Sequence, residues 1–81
     1  MKALSKAFGD TVRQCRQRAS VSQEELAFRA GVHRTYISQL ERGLKGPSLR
    51  MVFALAAALD VDPTDLVRLV QDRVHGKRRS S

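Results

Sequence analysis

The sequence has one cysteine, Cys15, so an internal disulfide is excluded and a reducing compartment is the natural expectation. It has no tryptophan, and aromatic residues make up 5% of the chain, so a core must be built mainly from aliphatic side chains. The two histidines, His33 and His75, stand far apart and give no metal-ligand spacing with Cys15; neither a metal nor a cofactor is expected. No glycine-rich phosphate loop follows a strand, and no buried acid pair suggests itself, so an enzyme is not expected. The longest apolar run, Met51 to Leu59, is well short of the ~20 residues that cross a bilayer, and the N-terminus has no apolar signal-peptide core. These absences predict a cytoplasmic protein without a membrane partner. Acidic residues are scarce too: Asp and Glu number 8 against 15 Lys and Arg, a formal net charge of +7.

The distribution of that charge says more than its total. Residues 13–50 hold eight Lys or Arg against three Glu, whereas residues 51–74 hold two Arg against four Asp. A basic half and a slightly acidic half predict a protein that faces a polyanion on one side. At 81 residues there is room for one small domain, placed at residues 1–76, followed by a basic disordered tail at 77–81 containing Lys77, Arg78 and Arg79.

The most informative stretch runs from Gln23 to Gly43 and reads as two short helices joined by a tight turn. Ser22 is an N-cap and Glu25 completes a capping box, so a helix starts at Gln23, with Leu26, Ala27 and Ala30 on its apolar side. Gly31 falls where a chain leaving a helix needs a positive φ. Val32 re-enters the core, and a second helix spans about His33 to Arg42. At ~100° per residue Ile37 and Leu40 point inward, with Tyr36 and Glu41 at the edges of that stripe. Arg34, Thr35, Ser38, Gln39 and Arg42 share the opposite face, a row of donors and acceptors on a helix narrow enough to enter a major groove.

The flanks supply the rest of a small helical domain. A first helix is placed from about Ser5 to Arg18 behind a frayed lead-in, Met1 to Lys6, with Phe8, Val12, Cys15 and Ala19 as its core stripe; Cys15 is read as a small core hydrophobe. After Gly43, Pro47 and Ser48 open a fourth helix whose core stripe is Leu49, Val52, Leu55, Ala56 and Leu59. Met51, Phe53, Ala54, Ala57 and Ala58 leave it apolar over most of its circumference. Asp62, with Pro63 at the first helical position, starts a fifth helix. There Leu66 and Leu69 are expected in the core, while Val67, Val70 and Val74 form a second stripe. Phe53 and that stripe are the expected interface of a homodimer.

The run SQEELAFRAGVHRTYISQLERG resembles the helix-turn-helix of the lambda-repressor-like family, also called the Xre family. FGDTVRQCRQRASV resembles the family's first helix, and PSLRMVFALAAALDVDPTDLV its fourth and the start of its fifth, so the likeness covers roughly residues 8–67. It implies an all-α, compact five-helix domain with the helix-turn-helix at helices 2 and 3. Carried over by residue, it makes Arg34, Thr35 and Gln39 base contacts, with Ser38 a fourth. Their chemistry agrees, since Arg suits guanine, Gln suits adenine, and a Thr methyl meets the thymine methyl. Gln23 is expected to touch phosphate and to brace the reading helix, and Tyr36 to offer its hydroxyl to phosphate. His33, Arg42 and Lys45 complete the expected phosphate contacts, although His33 replaces the Ser or Thr usual at the third helix's N-cap. An ion pair between Arg16 and Glu41 is likewise implied.

The expected function is a sequence-specific regulator of transcription that binds double-stranded DNA as a homodimer on a roughly palindromic operator. AGVHRTYISQLERG is similar to controller proteins of restriction-modification systems. The alternative is an antitoxin-like module that occludes a protein partner and binds DNA for autoregulation.

Overall fold

Four side chains each accept a backbone N–H at the start of a helix and so set its boundary. Ser22 Oγ accepts from Glu25 (3.0 Å), His33 Nδ1 from Thr35 (3.1 Å), Ser48 Oγ from Met51 (3.1 Å) and Asp62 Oδ1 from Thr64 (2.8 Å). Each such cap satisfies a backbone donor that the helix itself leaves without a partner. In the computed structural model, which describes residues 2–76, they open α2 (Gln23–Ala30), α3 (Arg34–Glu41), α4 (Leu49–Ala58) and α5 (Pro63–His75), after α1 (Lys2–Arg18). The fold is all-α, and the described residues contain no strand. The basic tail expected at 77–81 lies outside the described residues. Glu25 does not complete a capping box: its carboxylate accepts from Arg29 Nε at 3.0 Å, one turn along the same helix.

The helix ends share a device. Ser20 (φ 58), Gly31 (φ 74), Gly43 (φ 77) and Asp60 (φ 59) adopt the left-handed conformation just past α1, α2, α3 and α4. The next residue's N–H then bonds back five residues, Val21 to Arg16, Val32 to Ala27, Leu44 to Gln39 and Val61 to Ala56, at 2.9–3.0 Å. This is the Schellman arrangement, which satisfies orphan carbonyls; after α1, α2 and α4 it also turns a valine back onto the core.

Val12, Leu26, Ile37, Leu40, Leu55 and Leu66 are fully buried and form the centre of the core, with Phe8, Leu59 and Val70 around them. α1 packs on α3 and α5, α2 on α3 and α4, and α4 on α5. Several expectations are corrected. α1 starts at Lys2 rather than Ser5, and residues 2–6 of the supposed lead-in are helical because Ala3 and Ala7 favour a helix, Ala7 is buried, and Lys6 pairs with Asp10 one turn on. Ala19 is exposed because α1 has ended by then, and Cys15 is only partly buried. Leu49, in the first turn of α4, is 73% exposed.

On α5 the inward pair is Leu66 and Val70, one turn apart, and Leu69 lies outside. Val70, expected at a dimer interface, is 6% exposed and belongs to the protomer's own core. Val67, Val74 and Phe53 are exposed.

Candidate nucleic-acid interface

α3 divides lengthwise. Ile37, Leu40 and Glu41 are buried, while Arg34 and Thr35 are exposed and Ser38 and Gln39 partly so on the opposite side. The geometry follows from the turn before it: the positive φ of Gly31 lets the chain reverse, and Val32 anchors the reversal against the core. His33 does the work of the missing Ser or Thr. Its Nδ1 accepts the N–H of Thr35, which puts the ring proton of the neutral form on Nε2. Tyr36 packs at the edge of the core, and burial pushes its phenol above the ordinary tyrosine range. Arg42 caps α3 at the far end and is exposed, as is Lys45 in the following loop.

Beside Ile37 and Leu40 in the core, a polar cluster holds this helix in place. Glu41, 3% exposed, accepts from Arg16 Nε at 2.7 Å, Arg16 Nη2 at 3.1 Å and Gln23 Nε2 at 3.0 Å. The remaining arm of Arg16, Nη1, donates to the carbonyl of Val21 at 3.0 Å. One carboxylate thus joins the end of α3 to α1 and to the first turn of α2. A buried charge needs such partners, because unpaired it would cost several kcal/mol (~3 to 5). Among the described residues no buried side-chain nitrogen or oxygen lacks a partner.

A second restraint was not read from the sequence. Gly9, in the middle of α1, is buried against the last turn of α3. A Cβ built there would stand 2.2 Å from the carbonyl oxygen of Leu40 and 2.8 Å from that of Glu41. These are backbone atoms, so no side-chain rotation relieves the clash. The available signal was a glycine inside a helical pattern with no turn to explain it.

Arg16, Gln23, Ser38, Glu41 and Arg42 line one groove beside α3, together with Lys6, Arg13 and Gln17 of α1. Val67 and Val70 lie elsewhere, in an apolar groove with Leu4, Phe8, Leu49 and Val52. Cys15 lines neither groove. Burial raises its thiol above the ordinary range, against a weaker pull from Arg18 and Arg73, which leaves it a poor nucleophile. No helix among the described residues is long and apolar enough to cross a membrane.

Comparison with known proteins follows the same outline. The family described as Helix-turn-helix matches residues 12–66. Control protein C.BamHI of Bacillus amyloliquefaciens is 48% identical over 61 residues, covering 74% of this chain and 75% of that protein. The crystal structure of the restriction-modification controller protein C.AhdI from Aeromonas hydrophila superposes with a TM-score of 0.74 at 40% identity, over 76% of this chain and 94% of that one. That of the clp gene regulator ClgR from Corynebacterium glutamicum does so with a TM-score of 0.80 at 31% identity, over 84% and 88% respectively.

Proposed function

The chain belongs to the helix-turn-helix family of DNA-binding regulators, and from that premise we propose that it regulates transcription by reading an operator with the exposed side of α3. The observation that carries this reading is the division of α3. Arg34, Thr35, Ser38 and Gln39 are directed away from the core on a helix whose other side is held by the Glu41 cluster, so the readers project from a fixed support. They supply base contacts, while Gln23, His33, Tyr36, Arg42 and Lys45 supply phosphate contacts. In His33 the Nε2–H left by the cap is the donor, and in Gln23 one amide hydrogen serves Glu41 and the other is for phosphate.

The protein acts as a homodimer in the cytoplasm. Phe53, Val67 and Val74 are exposed on α4 and α5, Leu49 and Leu4 are exposed beside Val67 along one apolar groove, and a second copy covers these side chains. Two reading helices about 34 to 36 Å apart then address half-sites one helical turn apart. The likeness to C.BamHI and C.AhdI favours a controller that acts on its own promoter by occupancy. Relatives with these names are regulators, so the protein-occluding alternative is not carried forward. Neither a metal nor a cofactor enters this reading, and binding is the whole of the activity.

The test is selection of bound sites from random duplex DNA. The expected outcome is a two-fold motif bound ~10³-fold or more tighter than scrambled sequence. Absence of any enriched motif would sink the reading.

A further inference from the structure

The groove beside α3 holds more positive charge than the contacts assigned so far use. Four of its lining side chains are cationic, Lys6, Arg13, Arg16 and Arg42, and one is acidic, Glu41. Arg16 and Glu41 neutralise each other in the buried cluster, which leaves Lys6, Arg13 and Arg42. Lys6 and Arg13 are exposed on α1, and across the groove from them stand Ser38 and Arg42 on the reading side of α3. Gln17 and Gln23 add amide donors. A concave surface that is donor-rich and anion-poor, and continuous with the reading face, fits one ligand chemistry, the phosphodiester.

One acid stands against it. Asp10 Oδ1 lies 2.7 Å from Lys6 Nζ and 3.8 Å from Arg13 Nη2, on the adjoining turn of α1. Asp10 does not line the groove; it holds two of its cations from the side. Such exposed pairs are weak, so a phosphate can take over both cations.

Resting on the reading proposed above, we infer that Lys6 and Arg13 form a further backbone-phosphate contact of the DNA complex, on α1, and that Asp10 is its built-in competitor. A phosphate entering the groove displaces the Asp10 carboxylate from both cations, so part of the attraction offsets the loss of those two pairs. Phosphates are the same on every sequence, so this restraint acts on all DNA alike and lowers non-specific affinity. Discrimination stays with α3.

The experiment measures affinity for the selected operator and for a scrambled duplex of the same length across a salt series. Lys6→Ala and Arg13→Ala should each make the log–log salt slope shallower by about 0.9, which is about a 3.5-fold smaller loss of affinity between about 50 and 200 mM salt. The change should be equal on both duplexes, with the selected motif unaltered. Asp10→Asn should tighten binding two- to threefold on both. Arg68→Ala, an exposed cation on α5 outside the groove, should leave the slope as it is. Thermal unfolding of each variant checks the fold, and lost affinity at an unchanged slope would count against the phosphate contact. Wild-type slopes in both α1 variants would overturn the inference, and weaker binding by Asp10→Asn would overturn the competitor role. Because the slope is read on any duplex, the groove can fail while the operator motif stands, or stand while no motif emerges.

Discussion

α3 and α4 are similar in length, eight and ten residues, yet they are held in opposite ways. α3 has three buried side chains, one of them a carboxylate, and its position is set by directional bonds to Arg16 and Gln23 and by the glycine contact with α1. α4 is apolar nearly all round, has no buried charge, takes a single bond from a neighbouring helix, Arg29 Nη1 to the carbonyl of Ala58 at its last residue (3.1 Å), and leaves Leu49 and Phe53 exposed after its packing is complete. A helix that must carry polar readers has little apolar area to bury, so its orientation has to come from hydrogen bonds and close backbone approach. A helix with surplus apolar area is placed mainly by packing, and the surplus is available to another chain.

Three substitutions would break or sharpen this contrast. Glu41→Ala leaves the Arg16 guanidinium largely buried without its partner and should cost about 3 to 5 kcal/mol of unfolding free energy, read by urea denaturation. A loss under about 1 kcal/mol would mean that apolar packing holds α3 as it holds α4. Gly9→Ala should cost about 1 to 3 kcal/mol and, by pushing the last turn of α3 away from α1, should also reduce discrimination between operator and scrambled DNA. Full discrimination in a folded Gly9→Ala protein would show that α3 is placed by the Glu41 cluster alone. Val67→Asp tests the other half: it should leave stability nearly unchanged but raise the dimer dissociation constant at least tenfold, about 1.4 kcal/mol, by sedimentation. An unaltered dimer would place the interface away from α5.

The features legible in the sequence were those written in local chemistry. Ser22, Ser48 and Asp62 announced helix starts, Gly31 announced the turn, and periodicity placed Val12, Leu26, Ile37, Leu40 and Leu55 in the core. The pairing of Arg16 with Glu41 came from resemblance, since 25 residues separate the partners. Features that depend on how helices cross escaped a reading of one helix at a time. α5 was turned slightly wrong, which exchanged Leu69 for Val70, because two adjoining apolar stripes fit its periodicity and only packing against α1 and α4 selects one. Leu49 matched its stripe but lines the open groove with Leu4, Phe8 and Val67 instead of filling the core. Gly9 and Asp10 act through what lies across from them or beside them in space, and nothing in FGDTV reveals a carbonyl of Leu40. His33 departs in sequence from the usual capping residues, yet its imidazole nitrogen accepts a backbone N–H as a hydroxyl does.

The lengthwise division of α3 also bears on how such a protein changes over generations. None of the four side chains assigned to bases takes part in the Glu41 cluster or in the contact with Gly9. Substitutions at positions 34, 35, 38 and 39 therefore leave the framework untouched. A lineage can drift from one operator to another through viable intermediates, each folding as well as the last. The residues at 9, 16, 23 and 41 have no such latitude, and in a set of descendants they would be the ones that stay.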